Sequence, residues 1–185
     1  KAVGASTGAG YAVIGRGGGM TYTGGYTPLR ADTIMVDVGA MNRIIEINKE
    51  DMYITVEAGV TWAQIYEALK PLGLRLPFFG TFSGMKATVG GGLSNGALFM
   101  GTCRYGQAAD CVLCLQVVLA DGTVATASPD GDADLHWAIR GGGGGSFGVA
   151  TQFDVEAVPY GTLHVIVWYW PLAAADDALA RFHAV

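Results

Sequence analysis

Glycine takes 29 of the 185 positions, and it is bunched rather than spread along the chain. Each glycine gives up more backbone freedom on folding than any other residue, so runs of it destabilise helices and strands. A chain that concentrates glycine in this way must therefore be built as regular elements joined by long glycine loops. No Gly-X-Y period is present, which excludes a collagen-like rod. Three loops stand out. Residues 15–25 hold six glycines, residues 87–106 open on Gly90-Gly91-Gly92, and residues 140–148 contain five glycines in a row.

Between these loops the pattern is that of a folding sequence, with 51% hydrophobic and 15% charged residues. Residues 1–9 read as the end of a helix and 11–14 as a short buried strand. Residues 34–38, 44–48 and 53–57, rich in Ile and Val and bounded by turn residues, read as strands. A helix is expected from Thr61, where Gln64 three residues on completes a capping box and Trp62, Ile65, Leu69 and Leu72 share a face. Pro71 and Gly73 should close it. Residues 77–106 show no period, and a loop of that length in a compact domain is either functional or misread. Residues 112–119 and 124–127 form a hairpin through Asp121-Gly122. A short helix over 132–139, strands over 149–158 and 163–170, and a helix over 172–184 follow. Strands and helices are mixed without strict alternation, so the fold class is α+β.

Several function classes drop out. A net charge of −5 and no basic stripe argue against a nucleic-acid surface. The apolar run around residues 163–175 is too short to span a bilayer. Residues 1–20 show no signal-peptide pattern; the compartment stays open, with the cytoplasm slightly favoured. Cys111 and Cys114 form a CxxC without a second ligand pair, which reads as small core residues, and the three histidines have no ligand spacing. No metal is expected.

The first loop, Arg16-Gly17-Gly18-Gly19-Met20-Thr21-Tyr22, directly follows a strand. Successive glycines let backbone N–H groups converge, which favours an anion such as a pyrophosphate, with Thr21 and Thr23 as further donors. A flexible surface turn is the competing reading. The loop fits neither the Walker pattern nor the dinucleotide fingerprint, because no Gly-Lys-Ser/Thr follows and no helix obviously opens after it. Three such loops with hydroxyls beside the glycines point to one large ligand with phosphate and ring parts.

The series Arg-Gly-Gly-Gly-x-Thr-Tyr (16–22), Thr-Val-Gly-Gly-Gly (88–92), Arg-Tyr-Gly (104–106), Val-Val-Leu-Ala-Asp-Gly-Thr-Val (117–124), Ala-Ile-Arg-Gly-Gly (138–142) and Gly-Ser-Phe-Gly-Val-Ala-Thr (145–151) is similar to that of the FAD-linked oxidase family. These are the vanillyl-alcohol-oxidase or PCMH-type flavoproteins, and the resemblance runs over residues 10–160 in order and spacing. It implies a PCMH-type FAD-binding domain of two small α+β lobes over residues 1–160, truncated at its N-terminal part. Residues 161–185 would begin a substrate domain.

Carried over position by position, the resemblance implies that Gly17, Gly18, Gly19 and Thr21 cradle the FAD pyrophosphate, in a segment that also includes Arg16, Met20 and Tyr22. Thr88, Gly91, Gly92, Ser94 and Asn95 would follow the pyrophosphate and ribityl chain, and Gly148 and Val149 the adenine end. Tyr105 and Asp110 would lie close to the cofactor, although Asp110 reads equally as a turn or cap carboxylate. The segment Asp-Leu-His-Trp-Ala-Ile-Arg-Gly-Gly (134–142) resembles the berberine-bridge-enzyme branch. There the first loop often carries a His that links covalently to the flavin, where this chain has Met20. The second attachment residue of that branch, a Cys, is replaced by Lys86-Ala87, and Cys103 lies well beyond that position. Non-covalent FAD is the expectation.

The implied activity is hydride transfer from a CH–OH group of a small-molecule substrate to the flavin N5, with oxygen or another electron acceptor. The stretch Thr-Val-Glu-Ala-Gly-Val-Thr-Trp (55–62) is equally similar to the 2-hydroxy-acid dehydrogenase branch. No catalytic residue is assigned, since the family's base comes from the substrate domain and the isolated piece is expected to be inactive without it. The competing class is a non-catalytic FAD- or nucleotide-binding module; a glycine-rich structural or interaction protein is a third, weaker alternative.

Overall fold

The computed structural model describes residues 1–78, 83–96, 98–162, 167 and 169–183. Helix α1 (Ala2–Gly8) leads into strand β1 (Ala12–Arg16), and the glycine loop separates β1 from β2 (Thr33–Asp37). These two strands pair in parallel, Arg16 opposite Asp37, as the first small lobe. Strands β3 (Ile44–Asn48) and β4 (Tyr53–Glu57) then open the second lobe. Its remaining elements are α2 (Trp62–Leu69), β5 (Leu74–Arg75), α3 (Val89–Ser94), α4 (Thr102–Tyr105), β6 (Val112–Val118), β7 (Val124–Ala127), α5 (Ala133–Gly141), β8 (Val149–Glu156) and β9 (Val158–Pro159). Helix α6 (Ala175–His183) follows near the end of the chain. The main sheet is five-stranded and antiparallel in the order β3-β4-β8-β6-β7, with β5 and β9 as a separate pair. The architecture is α+β.

The core lies where this sheet meets α2. Strand β8 buries alternate residues, Thr151, Phe153 and Val155, as a half-covered strand should. Strand β4 buries Ile54, Thr55, Val56 and Glu57 in succession, because both of its faces are covered. Glu57 is tolerated there because the Arg43 side chain forks onto it at 2.7 and 3.1 Å and the Arg43 N–H adds a bond at 2.9 Å. Helix α2 starts at the expected capping box, with Thr61 and Gln64 bonding each other's backbone. It sends Trp62, Ile65 and Leu69 into the core.

Leu72 departs from the expected helix face and stays partly exposed. The α-helix ends at Leu69 and tightens into a 3₁₀ turn over Lys70–Leu72, and that change of pitch swings Leu72 off the face. The expected strand over 149–158 divides into β8 and β9. Cys111 sits in a 3₁₀ turn just before β6 rather than within the strand. The aperiodic stretch 77–106 contains two helices, α3 and α4. Three of the six residues of α3 are glycine, so it has no side-chain period to read. Most of the expected strand over 163–170 lies outside the described residues.

Candidate functional site

The glycine loops converge, and α3 is the element they share. A Cβ on Gly17 would lie 2.3 Å from the Thr88 hydroxyl, and one on Gly18 only 1.9 Å from the Lys86 carbonyl oxygen, so the first loop sits directly on the approach to α3. The far end of that loop, Gly25, faces the Asn95 side chain at the end of the same helix. The third loop reaches it too, since a Cβ on Gly144 would stand 2.9 Å from the Ser94 carbonyl oxygen. Glycine is also what lets α3 settle into the domain. Gly90 packs on Ala58, and Gly92 leaves room for the Trp62 indole, which stands edge-on to Phe78 and Phe99. Gly17, Gly18, Thr88, Gly91, Ser94 and Asn95 are therefore one neighbourhood.

Accounting for the backbone N–H groups separates the used donors from the open ones. Those at the start of α3 are already used: Val89 donates to Val60, Gly90 to Ala58, and Gly91 to the Thr88 hydroxyl. The first loop is different. Among the described residues, no acceptor meets the N–H groups of residues 17–21, and the same holds for Gly143, Gly144 and Gly145 in the third loop. Gly19 adopts φ 69, the left-handed turn that brings successive N–H groups to one side. Open donors thus lie on the first loop, backed by α3, and on the third loop at Gly143 to Gly145.

The other expected positions are placed less uniformly. The Thr21 hydroxyl accepts the Thr23 N–H at 3.2 Å, closing a local turn. Met20 is half exposed and Tyr22 is 96% exposed, the latter clear of the loop contacts. Asp110 takes up a cap role, accepting the Gln107 N–H at 2.8 Å and a guanidinium N–H of Arg140 at 2.9 Å. Tyr105 has two guanidinium groups near its ring, Arg75 at 5.4 Å and Arg104 at 5.2 Å, and its hydroxyl accepts from Arg75 at 3.1 Å. Gly148, at φ 134, passes tight against the Val118 carbonyl, and Val149 beside it starts β8 opposite Val118. Val149 also comes near Gly15 of β1, which ties this segment back to the first loop.

Lys86, Gly144 and Asp37 also border this neighbourhood, outside the positions that the resemblance assigns to the cofactor. The only available signal for Asp37 was its place at the end of a strand twenty residues after Gly17.

The cysteines are unremarkable as a site. Burial pushes the Cys111 thiol up to about 11 and raises that of Cys114, while Cys103 is exposed. Since the thiolate is the reactive form, a thiol reagent at pH 8 should label Cys103 rapidly and the other two only on unfolding. Fast labelling of all three in the folded protein would contradict this arrangement. Among the described residues, no group of three or more His, Cys, Asp or Glu side chains could hold a metal, and no helix is long and apolar enough to cross a membrane.

The FAD-linked oxidoreductase pytB of Aspergillus terreus is 33% identical over 180 residues, covering 95% of this chain and 20% of that protein. The reticuline oxidase of Eschscholzia californica is 32% identical over 171 residues, covering 91% of this chain and 31% of that enzyme. The structure of wild-type BBE-like 1 from Physcomitrella patens superposes with a TM-score of 0.74 at 29% identity, over 85% of this chain and 34% of that one. The chain thus spans about a fifth to a third of the length of these proteins. A family described as FAD binding domain matches residues 1–128, more than half of the sequence, and the chain belongs to that family, with similarity to FAD-linked oxidoreductases and to berberine-bridge-enzyme-like structures.

Proposed function

We propose that residues 1–160 hold FAD non-covalently for an oxidoreductase acting on a CH–OH group, and that residues 161–185 begin its substrate domain. The observation that carries this is the set of unpaired N–H groups over residues 17–21, seated on α3 beside the hydroxyl- and amide-bearing residues Thr88, Ser94 and Asn95. These loop donors hold the pyrophosphate. Gly91, Gly92, Ser94 and Asn95 line the path of the ribityl chain, and Gly148 and Val149 flank the adenine end. Tyr105, with two guanidinium groups near its ring, lies close to the cofactor in this reading.

The chemistry supplied by bound FAD is acceptance of a hydride at N5. The work of this chain is to bind and orient. The group that takes the substrate's hydroxyl proton belongs to the second domain, so this piece alone is expected to bind flavin without turnover. The electron acceptor would be oxygen or another oxidant. The thioether of Met20 stands where the related branch often places its flavin-linking His, which supports a non-covalent cofactor.

Full-length protein should be yellow, and acid precipitation should release FAD into the supernatant. Anaerobic addition of alcohols and of 2-hydroxy acids should then bleach the flavin with one class only. Flavin retained in the acid pellet would refute the non-covalent assignment. Protein that takes up no FAD at all would refute the reading as a whole.

A further inference from the structure

We propose that Asp37 is a positioning residue for the phosphates of the cofactor, acting through Arg16. This rests on the reading that the first loop holds the FAD pyrophosphate. Arg16 ends β1, Asp37 ends β2, and the parallel register sets them side by side. Arg16 Nη1 donates to Asp37 Oδ2 at 2.5 Å, and Asp37 Oδ1 accepts the Gly39 N–H at 2.8 Å, so both carboxylate oxygens are used. The guanidinium is fixed from two further sides. It lies 5.6 Å from the centre of the Tyr26 ring, and its Nη2 sits 2.7 Å from where a Cβ on Gly19 would be. Arg16 is thereby held beside the left-handed turn whose N–H groups are open.

Stability does not account for this pair. Its side chains are 37% and 53% exposed, and exposed ion pairs contribute little to folding. On charge alone, a carboxylate beside a phosphate site is unfavourable. Its presence has a purpose if it holds the guanidinium in place, with donors of its planar fork left for a phosphate. The Gly39 N–H, and then Arg16, keep the Asp37 carboxyl below the usual carboxylate range, so it stays charged throughout the neutral region.

The two effects of Asp37 oppose each other, so the sign of one substitution tests the proposal. Asp37→Asn keeps an acceptor for the Gly39 N–H but removes the charge that holds Arg16. In the full-length protein stripped of flavin, it should weaken FAD binding by about tenfold and leave riboflavin binding, which involves no phosphate, unchanged. Arg16→Lys should show the same selective loss, and combining the two should add little to Arg16→Lys alone. Unchanged or tighter FAD binding by Asp37→Asn would overturn the proposal, because that is what loss of a neighbouring negative charge produces. Equal losses for FAD and riboflavin would overturn it too, by showing a general disturbance of the site. If the parent protein binds riboflavin as tightly as FAD, the pyrophosphate reading of the loop fails first, and the role of Asp37 fails with it.

Discussion

Gly18→Ala is expected to weaken FAD binding by roughly tenfold to a hundredfold and to lower fold stability by about 2–3 kcal/mol. The added Cβ would stand 1.9 Å from the Lys86 carbonyl oxygen, 2.8 Å from its carbon and 3.3 Å from the Ala87 Cα. All three are backbone atoms, so no side chain can swing aside. The segment cannot simply retreat, because the Lys86 and Ala87 N–H groups bond Ser83 and the Ala87 carbonyl accepts from Trp62 at the start of α2. Relief must come from the first loop lifting off α3, which disperses the open N–H groups that we propose for the pyrophosphate. Gly141→Ala is the control. It ends α5 with nothing within 4 Å of a new Cβ, so it should leave FAD binding alone and, if anything, add about 0.5 kcal/mol. Flavin-fluorescence titration and urea unfolding of both variants separate the effects. FAD binding by Gly18→Ala equal to that of the parent would show that contact between the first loop and α3 does not shape the site.

Local signals were legible where side chains report the backbone. Strands β2 to β4 announce themselves through Ile and Val between turn residues, the β6–β7 hairpin through Asp121-Gly122, and α2 through Thr61 and Gln64. Helix α3 does not, since glycine carries no side chain to set a period, and the element exists because Thr88 caps it and Ala58 and Trp62 receive it. The sheet order was equally hidden: β8 inserts between β4 and β6, a non-local pairing with no turn chemistry to advertise it. A missing Cβ makes room for a ligand, yet Gly17, Gly18, Gly90 and Gly92 give that side to other protein atoms. Both uses demand a missing Cβ, so sequence alone cannot separate them. What the glycine bunching did locate was the neighbourhood, because loops that pack backbone against backbone around α3 are also the loops whose N–H groups remain open.

The same distinction can be drawn within a single loop. Gly145 and Gly148 both have positive φ, 83 and 134, but only Gly148 is crowded. A Cβ there would lie 2.4 Å from the Val118 carbonyl oxygen and 2.9 Å from a Val117 methyl group, at the point where β8 joins β6. Gly148→Ala therefore adds backbone strain of about 1–3 kcal/mol to an overlap of similar size, and the melting temperature should fall by roughly 10 °C or more. Gly145→Ala has nothing within 4 Å, so only the backbone term of about 1 kcal/mol remains, a fall of roughly 2–4 °C. Differential scanning calorimetry of the pair measures the gap directly. Equal losses would mean that the loop end can move away from β6, and the proposed adenine end of the site would then owe its shape to the cofactor rather than to the sheet. A large gap would instead place the start of β8 among the fixed walls of the site, formed before any ligand arrives.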